Sequence, residues 1–240
     1  MQMKILTWNI CYKDCLDNLP GIISELCRFD ADVACLQEVA HRGDINHIKP
    51  LLDLYPYSHF AEADPCIGNN ATGSAILSRY PILSTQDIFI QRRVDDSHNF
   101  EDEGRIYTEA VLDINASRLT IGTTHCSYAR HFSESPKKDI EMNNLLELIK
   151  PKKSNYILTG DLNAAPDTKY IRAIESYLKN LGPEYGQKTF STKPFSHDGF
   201  EVNSLEYRID YIFGTNDLVV RNASVLESAL SDHLPILVEI

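Results

Sequence analysis

From residue 58 to residue 124 the chain offers five β-like runs in succession, with nothing helical between them. They are 58–62, 74–78, 82–90, 107–114 and 118–124. Regular βαβ winding would place a crossover helix after each parallel strand, so this order argues against it. Further strands are expected at 4–9, 32–38, 156–160, 208–213, 218–226 and 234–240. Helical spacing marks 19–27 (Leu19, Ile22, Ile23, Leu26), behind a candidate cap at Asn18, and 44–54 (Ile45, Ile48, Leu51, Leu52). A third helix is expected over 135–149, with Pro136 early and Ile140, Leu145, Leu146 and Ile149 on one face. A short fourth is expected near 168–177. Two sheets packed face to face, with the helices outside, would bury these runs in an α/β architecture. The chain shows no repeat, no low-complexity tract and no linker-like stretch, so one domain over residues 1–240 is the expected organisation.

Polar residues interrupt or end these apolar runs at particular places. Asn9 ends Ile5-Leu6-Thr7-Trp8, and Glu38 ends Val33-Ala34-Cys35-Leu36-Gln37. His125 ends the run 119–124, and Asp161 and Asn163 follow 156–160. Asp210 lies inside Arg208-Ile209-Asp210-Tyr211-Ile212-Phe213, and Asp232 and His233 open the last apolar strand. Singly, each has a plain structural reading. Asn9 would cap a turn, Glu38 would sit on the surface, and His125 would be a hydrogen-bonded core histidine. Asp161 with Asn163 would form an Asx turn, and Asp210 with His233 a structural pair. Buried ionised groups are costly unless paired or metal-bound, so six such sites at strand ends suggest one shared polar site. Carboxylates, amides and imidazoles without cysteine suit a hard cation such as Mg²⁺ or Mn²⁺. Phosphoryl transfer needs neutralised phosphate oxygens and a positioned water, which such residues can supply.

In this setting the chain resembles the endonuclease/exonuclease/phosphatase superfamily, the DNase I-like metal-dependent phosphohydrolases. The stretches that carry the resemblance are Thr7-Trp8-Asn9-Ile10, Leu36-Gln37-Glu38-Val39, Ser74-Ala75-Ile76-Leu77-Ser78-Arg79 and Glu103-Gly104-Arg105. Thr124-His125, Gly160-Asp161-Leu162-Asn163, Arg208-Ile209-Asp210-Tyr211-Ile212 and Ser231-Asp232-His233 complete them, in the family's order. Each is weak alone; their ordered set is the signal. The resemblance implies a four-layer α/β sandwich, two packed mixed β-sheets flanked by helices. It implies Glu38 as the principal metal ligand, with Asn9 and Asp232 close to a Mg²⁺ or Mn²⁺. Asp161 would orient or activate the attacking water, and Asn163 would position phosphate and nucleophile. His233 would stabilise the transition state, held by Asp210. Arg105 matches an arginine near the phosphate. His125 matches a Thr-His motif of nucleases, sphingomyelinases, deadenylases and inositol phosphatases, where abasic-site endonucleases carry Tyr; its partner is left open.

The expected activity is a phosphohydrolase, by preference a phosphodiesterase or nuclease, with a phosphate-ester partner and nucleic acid favoured. A phosphoinositide, sphingolipid or small soluble phosphoester is the alternative. The net charge of −11 lacks the usual footprint for gripping duplex DNA, although a divalent cation offsets charge locally. The absence of a long apolar insertion weakens the lipid reading. A catalytically silent binding module would be expected to have lost Glu38, Asp161 or His233, and all three are present. The five acids of 95–103 (Asp95, Asp96, Glu101, Asp102, Glu103) read as a solvated loop, or as a substrate-selecting loop leading into Arg105. Arg92 and Arg93 are candidates for a second phosphate; Tyr128 and Phe132 would stack at the entrance or, equally, pack in the core or stand exposed. Six cysteines without CxxC or zinc spacing read as mostly buried thiols of a reducing compartment. With no secretory pattern and no membrane span, a cytoplasmic monomer is expected.

Overall fold

The computed structural model describes residues 2–65, 70–93, 103–115, 117–197 and 199–240, with the side chains of 64, 65 and 70 left aside. The first half contains β1 (Lys4–Asn9), α1 (Tyr12–Asp17), α2 (Leu19–Phe29), β2 (Val33–Arg42), a 3₁₀ turn (Ile45–Ile48), α3 (Lys49–Leu52), β3 (Tyr57–Pro65), β4 (Asn70–Ser78), β5 (Ile82–Gln91) and β6 (Arg105–Ile114). The second contains β7 (Ser117–His125), a 3₁₀ turn (Arg130–Phe132), α4 (Pro136–Ile149), β8 (Tyr156–Asp161), α5 (Lys169–Glu175), β9 (Lys179–Asn180), β10 (Phe195–His197), β11 (Phe200–Val202), β12 (Asp210–Gly214), β13 (Asn222–Val225) and β14 (Ile236–Glu239).

Among the described residues the strands form two six-stranded sheets, β13-β14-β1-β2-β4-β3 and β5-β6-β7-β8-β12-β9, and a separate hairpin β10-β11. One parallel pair lies inside each sheet, β1 with β2 and β7 with β8, among antiparallel neighbours. Ile5, Val33, Cys35 and Ile76 of the first sheet meet Ala110, Leu119, Ile121, Ile157 and Ile212 of the second. The opposite face of β1 (Leu6, Trp8) packs on Leu19, Ile22, Leu26 and Phe29 of α2. Tyr156 and Leu158 of β8 pack on Met142, Leu145 and Ile149 of α4 and on Tyr170, Ile171 and Ile174 of α5. The layers are therefore α, β, β, α. Strands covered on both faces read as continuous apolar runs rather than alternating ones.

Several local expectations need correction. The helix expected over 44–54 is a 3₁₀ turn followed by one α turn, because Pro50 has no N–H with which to continue a ladder. Asn18 makes no side-chain cap bond; it is the shared boundary between α2 and α1, a helix the sequence did not announce. Ile140 is 66% exposed, and the inward face of α4 is Lys138, Glu141, Met142, Leu145 and Ile149. Its first two turns thus bury charge where an apolar face was expected. β9, β10 and β11 are too short to leave a period-two signal. Among the described cysteines all are free; Cys15, Cys35 and Cys126 are buried, Cys11 half-buried and Cys27 exposed, while Cys66 lies outside the described residues. Among the described residues no helix is long and apolar enough to cross a membrane.

Candidate active site

Strand register brings the polar ends together. His125 pairs with Asp161 across β7 and β8, and Asp161 pairs with Asp210 across β8 and β12. In the facing sheet Asn9 pairs with Gln37, the residue before Glu38. The C-terminal ends of both parallel pairs and the N-terminal ends of their antiparallel neighbours therefore share one edge of the sandwich. Side chains alternate along a strand, so Ile5, Thr7 and Asn9 face the same way, as do Ile121, Thr123, His125 and Ile157, Thr159, Asp161. Each series grades from aliphatic core through a fully buried threonine to a polar group at the edge. The repeated Ile-x-Thr-x-polar pattern is a signal of this edge in the sequence, beyond the polar ends of the runs. Gln37 bonds across the sheets, with Nε2 donating to Thr123 Oγ1 at 2.9 Å and to Thr7 Oγ1 at 3.1 Å, and so ties them just beneath the site.

Glu38 sits where the β2–β4 register slips, with φ 56, and the irregularity turns its carboxylate into the cleft. Oε2 accepts from the Tyr12 amide at 2.9 Å and Oε1 from Asn9 Nδ2 at 3.0 Å. Asn9 Nδ2 also donates to Asp161 Oδ2 at 3.0 Å, while its Oδ1 accepts from the Cys11 amide. Asn9 thus bridges two carboxylates through its nitrogen. Asp161 Oδ1 accepts from the Asn163 amide at 2.8 Å, an Asx turn that places Asn163 at φ 46. Gly160 supplies the close approach behind it, at φ 141 against the Thr124 carbonyl.

His233 Nδ1 lies 3.0 and 3.2 Å from the two oxygens of Asp210, and its Nε2 lies 3.6 Å from Asp161 Oδ2. Its carbonyl accepts from Trp8 Nε1, and its amide donates to Ser231 Oγ, which itself donates to Asn9 O at 2.7 Å. Burial alone would lower the His233 pKa, but the carboxylates of Asp210, Asp161 and Asp232 outweigh it and hold the ring well above the usual histidine value. Burial pushes the Asp161 carboxyl up to about 7; the His233 charge opposes that and Asp210 adds to it. Burial and Asp232 raise Glu38.

The partner left open for His125 is now visible. Its Nδ1 faces Arg105 Nη1 at 3.3 Å and its Nε2 faces Asn163 Nδ2 at 3.1 Å, with Asp161 Oδ2 at 3.5 Å. Burial, then the Arg105, His233 and Lys138 charges, push its pKa well below the usual value. The neutral ring has one lone pair, so only one of the two donors is accepted. Arg105 also donates to Glu103 Oε2 at 2.8 Å. Glu38, Gly73, Ser74, Gly104, Arg105 and His125 line the adjoining open cleft.

Asp161, Asp210 and His233 offer ligand atoms within 4.8 Å of one another. Within that trio His233 Nδ1 is already engaged by Asp210 at 3.0 Å, which leaves Nε2 as the ring nitrogen facing Asp161. Glu38 and Asp232 suit an oxygen-seeking cation: both are half-buried, and the Asp232 charge that helps raise Glu38 is repulsion that a positive charge would relieve. Asp232 is half-buried, with Oδ1 3.3 Å from Ser231 Oγ. Elsewhere, Phe132 is buried and cannot stack on a ligand, while Tyr128 is half-buried against it. Arg92 is exposed and lies over the Phe89 ring. Of the acidic stretch, Asp95, Asp96, Glu101 and Asp102 lie outside the described residues.

The profile of the Endonuclease/Exonuclease/phosphatase family matches residues 6–233. The chain is 24% identical to Protein angel homolog 2 of Danio rerio over 172 residues, 68% of this chain but 30% of that protein. Its fold is similar to an endonuclease/exonuclease/phosphatase family protein from Bacteroides thetaiotaomicron (TM-score 0.74, 17% identity, 100% of this chain and 97% of that one). It is also similar to a mannosyl-6-phosphatase of Bacteroides thetaiotaomicron VPI-5482 (TM-score 0.71, 16% identity, 99% of each chain).

Proposed function

The chain belongs to the endonuclease/exonuclease/phosphatase family, and from that premise we propose that it is a divalent-metal-dependent phosphoester hydrolase, by preference a phosphodiesterase of nucleic acid. One observation carries this reading: Glu38, Asn9, Asp161, Asn163 and His125 form a continuous chain of close polar contacts at one sheet edge, with the Asp210–His233 pair against Asp161. A Mg²⁺ or Mn²⁺ held by Glu38, with Asp232 and Asn9 close by, would neutralise phosphate charge. Asp161 would orient a water in line with the scissile bond and take its proton. A carboxyl held near 7 is well matched to that task at neutral pH. The protonated His233 would donate Nε2–H to a nonbridging oxygen as its charge grows, with Asp210 fixing the ring through Nδ1. Asn163 and Arg105 would add donors to the same phosphate, against the neutral His125.

The test is hydrolysis of bis-p-nitrophenyl phosphate and p-nitrophenyl phosphate with Mg²⁺ or Mn²⁺, with and without EDTA. Metal-dependent cleavage of the diester is expected, lowered about a hundredfold or more in Asp161→Ala. Equal rates for wild type and variant would remove the assignment. A panel of single- and double-stranded DNA, RNA, phosphoinositide, sphingomyelin and nucleotides then selects the substrate class. The net charge of −11 favours a small soluble phosphoester as the second reading.

A further inference from the structure

Lys138 stands inside the protein, 1% exposed, at the start of α4. Its Nζ donates to the carbonyl oxygens of Ser127, Leu162 and Asn163, each at 2.7 Å. Three acceptors need three N–H donors. A neutral amine has two and would turn its lone pair on the third carbonyl, so the geometry selects the ammonium form. A buried charge is tolerated only when its donors are met, and here all three are. One turn further on, Glu141 is fully buried and accepts from the Ser127 amide, with its two oxygens at 2.9 and 3.1 Å.

The two side chains hold two segments of loop. One leaves β7 directly after His125; the other leaves β8 and carries Asn163. The segments also meet at the site, where Asn163 Nδ2 donates to Cys126 O at 2.9 Å beside His125. Lys138 thus grips the carbonyl of the residue whose amide and side chain face the catalytic groups. Asn163 stands at φ 46, a left-handed conformation that asparagine adopts more readily than most residues, and here the Asp161 carboxylate on its amide and Lys138 on its carbonyl brace it.

We propose that Lys138, together with Glu141, is a positioning pair that fixes the Asn163 turn against the β7 loop for phosphoester hydrolysis. The inference rests on the function proposed above. Lys138 acts through Asn163 and touches no reacting atom. A mere anchor for α4 would lower stability without coupling to Asn163.

The experiment is a double-mutant cycle of Lys138→Met with Asn163→Ala, read as kcat and KM on bis-p-nitrophenyl phosphate at a temperature where circular dichroism shows every variant folded. Lys138→Met is expected to lower kcat about tenfold with KM within about twofold, since small misplacements of positioning groups are costly. In the Asn163→Ala background the same change should cost less than about twofold, because the group it positions is gone. Equal losses in both backgrounds, or an unchanged kcat, overturn the proposal. Should Lys138→Met not fold, Lys138→Arg repeats the cycle: it keeps the charge, but a planar fork does not converge on three carbonyls as an ammonium does. Amide exchange gives a readout without turnover. The Ser127 and Asn163 amides should exchange about tenfold faster in the variant while the β1 amides do not; unchanged exchange overturns the proposal. A wild type that hydrolyses none of the panel, with these amides still loosened in the variant, refutes the functional reading and reduces Lys138 to a loop anchor.

Discussion

Gly160 is the position where backbone geometry and chemistry are most tightly joined. Its φ is 141, and an added methyl would stand 2.0 Å from the Thr124 carbonyl oxygen and 3.0 and 3.1 Å from that residue's C and N. All three atoms are backbone of β7, so no side chain can swing away. Carbon contacts need roughly 3.5 Å, so β7 and β8 would have to part by about 1 Å or more. The unfavourable φ costs about 1–3 kcal/mol, and forced packing adds about 1–3 kcal/mol. The expected loss for Gly160→Ala is then about 2–6 kcal/mol, a large part of the ~5–15 kcal/mol that holds a typical domain. The damage also reaches the site, because the next rung of the same ladder is His125 opposite Asp161. Urea unfolding followed by circular dichroism gives the stability, and kcat measured well below the transition gives the second effect. Gly186→Ala, whose methyl would meet nothing within 4 Å, is the control and should stay within about 0.5 kcal/mol of wild type. A Gly160→Ala protein as stable and as active as that control would refute the reasoning.

Mn²⁺ at about a hundredfold excess over its dissociation constant should stabilise the protein by about 2.7 kcal/mol, or roughly 5–10 °C in Tm, and Glu38→Gln should abolish the shift; a wild-type Tm indifferent to Mn²⁺ would contradict the cation site. Because the Asp161 carboxyl is pushed up to about 7, the metal-free native state holds a proton there that the unfolded chain releases near pH 4. Its contribution to stability therefore falls as pH rises from about 4 to 7, and Asp161→Ala should flatten that part of the Tm–pH curve. His125 works the other way, since the unfolded ring takes up a proton below about pH 6.5 that the buried ring resists. Asp210→Asn should lower kcat about a hundredfold or more while leaving the fold intact, because His233 loses the charge that keeps it a donor; a normal kcat would mark the pair as structural. Ile140→Asp should change stability by less than about 0.5 kcal/mol, whereas Leu145→Ala should cost about 2–5 kcal/mol; urea unfolding separates the two faces of α4.

The strand order and the polar ends of the strands were legible in the chain because both are local. A buried strand must be apolar along its length, and a charged or amide group at its end needs a special reason. Asn9, Glu38, Asp161, Asp210 and His233 stood out on that ground. Lys138 and Glu141 did not, since at helical spacing they are ordinary members of a polar helix. Only the path of two loops beneath α4 gives them acceptors and donors. Ile140 misled for the same reason: a helix whose buried face begins with charge cannot be phased by apolar spacing.

Residue chemistry along the chain marks which side chains are too polar for the runs they end, and hence that β-rich layers carry a polar centre. How those groups are paired follows from the packing of distant strands. Two parallel strand pairs from different sheets end at one edge, and the slip at Glu38 and the left-handed turn at Asn163 aim the side chains. The physical reason is that burial preference is a property of each residue, whereas a bond length or a proton's affinity depends on which distant charge the fold sets beside it.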